Sequence, residues 1–309
     1  MNSKLKKVLK FCFYPLMLLR NQWWKYLGAR NPEKLARRIY YWKFFKKLNL
    51  EDPQDLNEKI QWLKFRTDTT QWSILADKYK VREYVMSKGL ENILTRLYGR
   101  WDNADEVDFD KLPNSFVLKA THGAGAVILV KDKKKLDIEK TRYQLNSWLK
   151  MKIGLTTAEP HYLKQKPCII AEEYLEDKKM EKYSSSIIDY KFWCLDGKPY
   201  ICLVCFDRVI GKEKKVCIYD LNWNLRMDLI GKSHSHDIVD GIPKPKNLDL
   251  MLEVCRKLSK EHPQVRVDLY EINGMVYFGE LTFTAMGGYM DSYTPECLLE
   301  MGKRVTLPR

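Results

Sequence analysis

From Pro113 onward the chain is a succession of short β-type runs interrupted by only two helical patterns, and this order constrains the fold more than any other feature. The runs cover residues 116–120, 126–130, 168–171, 191–195, 200–206, 216–221, 265–272 and 275–283, with helical periodicity near 137–151 and 247–261. Strands and helices are mixed without regular βαβ alternation, which predicts an α+β fold rather than a doubly wound sheet. Ahead of them residues 51–89 read helical, with a start at Asp55-Leu56-Asn57-Glu58 and Gly89 as a C-cap. Coarse boundaries near Pro113 and residues 175–182 divide the chain into an arm (1–50), a helical region (51–115), a central subdomain (116–175) and a C-terminal subdomain (176–309).

A chain of 309 residues with 45% hydrophobic content can bury a real core, which excludes extended disorder. The net charge of +14 invites a nucleic-acid partner, but its distribution argues otherwise. Residues 1–50 hold 13 Lys/Arg against the single acid Glu33, so the body is nearly neutral and no nucleic-acid partner is expected. Most of the eight cysteines sit in apolar runs, as in a reduced, cytoplasmic protein. Cys202 and Cys205 have the spacing of a metal or redox motif, yet on a strand positions i and i+3 face opposite ways.

The apolar stretch from Val8 to Leu19 is too short to span a bilayer, which takes about 20 residues. Arg20, Trp23 and Trp24 follow it where a signal peptide would have small residues. Residues 1–24 therefore read as an arm lying on an anionic membrane surface or as a helix packed on the body. A second stretch, 34–50, puts Leu35, Ile39, Trp42 and Phe45 at helical spacing and leaves the same two alternatives.

Three segments carry chemistry. In the first, residues 116–130, Phe116, Leu118 and Ala120 share one strand face and Lys119 points the other way, beside a loop, His122 to Gly125, of small residues. A lysine next to flexible backbone N–H groups suits phosphate; an ordinary hairpin with a solvated lysine is the alternative. In the second, residues 266–282, Asn273-Gly274 marks a hairpin. A strict two-residue turn pairs Asp268 with Gly279 and turns Glu280 away. A three-residue loop with a G1 bulge pairs Arg266 with Glu280 and puts Arg266, Asp268, Glu280 and Thr282 on one face. That face would suit Mg²⁺ and phosphate, or be a plain cross-strand ion pair. The third, residues 169–175, is an apolar strand ending in Glu172 and Glu173 that by itself decides nothing.

In this order the segments resemble the ATP-grasp superfamily, most closely the TupA-like ATP-grasp family, named for teichuronopeptide synthesis and found with surface-polysaccharide genes. The resemblance runs from about residue 55 to 290 and rests on Leu56 to Lys64, Ala76 to Val85, Leu112-Pro113 through His122-Gly123, Asp189 to Phe192 with Asp196-Gly197, and Phe278 to Phe283 with Gly287-Gly288. It implies an ATP-grasp fold, two α+β subdomains clasping ATP behind a helical, basic N-terminal region. It also implies Lys78 and Lys119 as nucleotide lysines, His122, Gly123 and Gly125 as the loop over the phosphates, and Glu172, Glu173 and Leu175 as the adenine hinge. Asp189 would take the ribose hydroxyls and Arg208 a phosphate. Arg266 would meet phosphate or acyl-phosphate, with Lys119 as its catalytic partner. Asp268, Glu280 and Thr282 would hold Mg²⁺, the threonine standing where the D-alanine–D-alanine ligase branch has an asparagine.

The implied reaction joins a carboxylate to an amine through an acyl-phosphate. The expected acceptor is a uronic-acid carboxyl on a polysaccharide or lipid-linked precursor, with an amino compound as nucleophile. A glycosyltransferase of the same pathway is the main rival, with Asp108-Phe-Asp110 as its metal triplet; a non-catalytic adaptor is another. His234, His236 and Asp237 form a further metal-like cluster, without an evident third ligand.

Overall fold

The computed structural model describes residues 3–207, 215–231 and 241–308, with side chains from residue 17 onward. Its strands form two antiparallel sheets. β1 (Leu97–Trp101), β2 (Phe116–Ala120), β3 (Val127–Val130) and β4 (Ile169–Glu173) lie in the order β1-β4-β2-β3. β5 (Asp189–Leu195), β6 (Lys198–Phe206), β7 (Lys215–Tyr219), β8 (Gln264–Ile272) and β9 (Met275–Thr282) lie in the order β7-β6-β5-β8-β9. The fold is α+β, and each expected strand is present within a few residues. β1 is additional and joins the first sheet from ahead of Pro113; its half-exposed residues, with Gly99 and Arg100 in the middle, give little strand signal.

The helices are α1 (Ser3–Arg30), α2 (Pro32–Phe44), α3 (Leu56–Arg66), α4 (Thr70–Leu75), α5 (Val81–Ser87), α6 (Ile138–Leu149), α7 (Pro160–Leu163), α8 (Leu248–Ser259) and α9 (Pro295–Lys303). Asp55 starts α3 as expected, its carboxylate accepting from the Glu58 N–H at 2.9 Å. The helical reading of 51–89 is broken into three pieces, and Gly89 follows the last of them at φ +69°.

The second sheet is buried on both faces, which explains its near-continuous apolar strands. Tyr190, Phe192 and Cys194 of β5 face Met251, Cys255 and Leu258 of α8. Trp193 and Leu195 face Leu56 and Ile60 of α3 and Leu298 and Met301 of α9. Cys202 lies in the first of these layers and Cys205 in the second, so the pair is split across the sheet and holds no common metal. The first sheet packs a helix on one face, and Val117 and Ile170 on the other face are buried too. Phe116, Leu118, Ile169 and Ala171 pack under Leu145 of α6, with Lys119 and Glu172 on the opposite face.

At the N-terminus, Leu27, Leu35, Ala36 and Tyr40 pack on Leu48, Leu50, Ala158 and Tyr289. Within 34–50 the expected stripe is therefore split. Leu35 is buried, while Trp42 and Phe45 are 68% and 78% exposed. Among the described residues no helix is long and apolar enough to cross a membrane.

Candidate active site

The β8–β9 hairpin sets the first half of the site. Asn273 and Gly274 both adopt positive φ, +53° and +84°, and Ile272 pairs with Met275, so the loop has two residues in the primed geometry that matches strand twist. The three-residue loop with its G1 bulge, and the pairing of Arg266 with Glu280, are thus corrected. The one-face arrangement survives by another route. The ladder shifts between Asp268 and Leu269, leaving Gly279 as an extra residue, and beyond it Asp268 pairs with Glu280 and Arg266 with Thr282. Without that extra residue Glu280 would share a face with Val276 and Phe278, inside the layer under α8.

On the resulting face Arg266 donates to both oxygens of Asp268 at 2.7 Å, to Thr282 Oγ1 at 3.1 Å and to Glu280 Oε1 at 3.4 Å. Lys191, two residues after Asp189 and so on the same strand face, reaches Asp189 Oδ2 at 2.6 Å and also donates to Asp268. Burial pulls the Lys191 pKa down, but Asp189 and Asp268 outweigh it and hold the ammonium above the ordinary lysine range. Burial likewise pushes Asp268 up, and Arg266 and Lys191 reverse it, so the carboxylate stays ionised. Asp268 is buried, whereas the Glu280 side chain is 36% exposed.

The second half comes from the first sheet. Lys119 contacts Glu172 Oε2 at 2.7 Å across β2 and β4. Glu172 Oε1 accepts from Arg82 and from Thr95, each at 3.0 Å. Glu172 thus orients Lys119 with its side chain, and only its backbone is left for a hinge role. Glu173 is held by its N–H to the Arg96 carbonyl, and Leu175 is half-buried just past the strand. The loop after β2 bends through Gly123 and Gly125 at φ +64° and +83°. Lys78 donates to the Gly123 carbonyl, and its own N–H bonds the Thr121 carbonyl at 3.0 Å. The His122 ring turns away, to the Met151 carbonyl at 3.0 Å, and burial lowers its pKa.

The halves meet at Lys78. Burial lowers its pKa, and its ammonium feels Glu280 from the second sheet and Lys119 and Glu172 from the first. Arg208 and the cluster at His234, His236 and Asp237 lie outside the described residues. Asp108 and Asp110 are exposed, and Asp108 pairs with Lys111 at 2.9 Å.

Several residues at the site were not singled out in the sequence. Lys191 was legible by strand alternation from Asp189, but a lone lysine within an apolar run gives no sign of partners. Arg82 lies in the segment from Ala76 to Val85, where helical spacing alone gives it no role. Asn57, Gln61 and Lys64, one face of α3, grip the segment after β9: Asn57 exchanges bonds with Met290, and Gln61 and Lys64 donate to the Gly287 carbonyl at 3.0 Å. Next to them Thr284 donates to buried Glu159 at 2.5 Å.

The oxygens of Asp268, Glu280 and Thr282 are hard donors suited to Mg²⁺, which takes one or two carboxylates plus phosphate oxygens. On this strand face Asp189, Asp268 and Glu280 outnumber Lys191 and Arg266 by one charge. The donor set fits the ion, with Glu280 the accessible ligand.

A family model described as TupA-like ATPgrasp matches residues 58–305. No curated protein matches the chain. Among solved structures, the D-alanine–D-alanine ligase from Bacillus anthracis is similar at 16% identity and a TM-score of 0.45, covering 75% of this chain and 67% of that one. The L-amino acid ligase from Bacillus licheniformis is similar at 13% identity and a TM-score of 0.45, covering 81% of this chain and 53% of that one. The chain thus spans about two thirds of the first and about half of the second.

Proposed function

The chain belongs to the TupA-like ATP-grasp family, and from that premise we propose that it is an ATP- and Mg²⁺-dependent carboxylate–amine ligase. The observation that carries this reading is the single strand face on which Arg266 binds Asp268, Glu280 and Thr282. A substrate carboxylate oxygen attacks the γ-phosphorus, the bond to the bridging oxygen breaks, and ADP leaves. The amine then attacks the acyl carbon, the C–N bond forms, phosphate departs with the C–O bond electrons, and the amine proton passes to solvent.

Lys119 and Lys78 would neutralise the nucleotide phosphates, and the loop from His122 to Gly125 would close over them with backbone N–H groups. Glu172, Glu173 and Leu175 would line the adenine, Asp189 would meet the ribose, and Arg208 a phosphate. Arg266 would hold the transferred phosphoryl group, releasing one oxygen of Asp268 as it does. Bound at Asp268, Glu280 and Thr282, Mg²⁺ would supply charge neutralisation and phosphate alignment. The chain's own groups mainly position the partners. We assign the carboxylate to a uronic acid of a surface polysaccharide or its lipid-linked precursor, with an amino compound as nucleophile, and the site of action to the cytoplasmic face of a membrane, reached through residues 1–24.

Thermal unfolding tests the nucleotide site without knowledge of the acceptor. Mg-ATP at 100 times its Kd is expected to add about 2.7 kcal/mol, a shift of several degrees, and Lys119→Met to lose it. A shift with UDP-sugars and none with Mg-ATP would overturn the ligase reading in favour of a glycosyltransferase.

A further inference from the structure

α1 and α2 carry a second surface that the ligase chemistry does not use. Their inner sides are settled: Leu27, Leu35, Ala36 and Tyr40 are buried, and Glu33 is engaged by Arg37 at 2.8 Å and Arg66 at 2.7 Å. Their outer sides form one continuous face. Arg38 of α2 lies over the Trp23 ring of α1 at 5.6 Å, Trp23 stacks on Tyr26 at 5.8 Å, and Arg30 covers Tyr26 at 5.6 Å. Tyr41, Trp42 and Phe45 continue the face in solvent, Phe45 projecting from the left-handed residue that ends α2. Between α2 and the turn after it lies a crevice of about 400 Å³ lined by Lys34, Arg37, Arg38, Tyr41, Trp42, Lys47 and Leu48.

Exposed aromatic rings interleaved with exposed Arg and Lys, on a region holding one acid, match the two layers of an anionic bilayer surface. Rings settle at the level of the headgroups and upper chains, and cations sit beside the phosphates. We infer that this folded face, centred on Lys34, Arg38, Trp42 and Phe45, docks on anionic phospholipid, with a headgroup phosphate entering the crevice. The inference rests on the reading that the enzyme works at a membrane and deepens it, moving the contact from residues 1–24 to a face fixed on the body.

The test is co-sedimentation of the full chain, without nucleotide, with phosphatidylcholine vesicles that contain or lack phosphatidylglycerol. Binding is expected only with the anionic lipid. Each lost cation weakens it about fivefold, so Lys34→Glu with Arg38→Glu lowers affinity by about 25-fold or more, with thermal unfolding unchanged. Trp42→Ala with Phe45→Ala is expected to weaken binding even at low salt. Equal binding to both vesicles, or wild-type binding by both variants, overturns the inference. Loss on Lys4→Glu, Lys6→Glu and Lys7→Glu with no loss in the α2 variants also overturns it, while leaving the arm contact of residues 1–24 standing. Capture of soluble polygalacturonate through Lys34 and Arg38, without vesicle binding, would assign the face to an anionic polysaccharide instead.

Discussion

Lys119 and Lys191 are two lysines in carboxylate company with opposite expected roles. Lys119 is partly exposed, and Glu172 keeps Arg82 and Thr95 if it goes. Lys119→Met and Glu280→Gln are therefore expected to abolish ATP turnover, read as ADP release, while moving the urea midpoint little. Lys191 is buried between Asp189 and Asp268. Lys191→Met leaves a carboxylate surplus in the interior and is expected to cost about 3–5 kcal/mol in urea unfolding. The sequence made the first lysine legible because it stands alone on its strand face beside a glycine loop. The second hides among Tyr190, Phe192 and Trp193, since partners from β8 are invisible until strands pair.

β9 shows how a hairpin can be right in outline and wrong in register. The alternation of charged and apolar residues in 266–282 marks two strands, and Asn273-Gly274 marks their turn, but the position of an extra residue leaves no local trace. Gly279 supplies it: a Cβ there would meet the Asp268 carbonyl at 2.9 Å and the Tyr270 ring at 3.1 Å. Gly279→Val is expected to cost about 1–3 kcal/mol and to cut ATP turnover by disturbing Glu280; denaturant unfolding and ADP release check both. α9 starts at Thr294 followed by Pro295, the Thr294 hydroxyl accepting from the Cys297 N–H at 3.2 Å, a local signal that the surrounding strand pattern does not include.

Among the described residues burial lowers the pKa of His122, His161 and His262, and for the last two the shift is large. His161 is pushed down to about 3, and His262 to about 4. The unfolded chain takes up protons at both from about pH 6.5 downward while the folded chain does not, so stability falls with acidification between pH 6.5 and the folded values. His161 alone is expected to account for about 2 kcal/mol between pH 6.5 and 5, and His161→Phe, which keeps a ring against Trp72, should flatten that part of the curve. At this scale the fold class was legible from the order of strands and helices, and the family from segments of the chain. How Lys191 meets Asp268 and Arg82 meets Glu172 was not, because those contacts join segments far apart in sequence and have no periodicity to announce them.

The grip of α3 on the segment after β9 also has a history in time. A ribosome makes Asn57, Gln61 and Lys64 at least 223 residues before their acceptors at Gly287, Gly288 and Met290, and Lys59 is made 246 residues before the Val305 carbonyl that receives it at 2.7 Å. Through most of translation the nascent chain therefore carries a helix whose polar groups and apolar partners are both missing. Final assembly has to wait for residues 287–305, and a chain halted before residue 287 is a client for chaperones or proteases rather than a partly active enzyme.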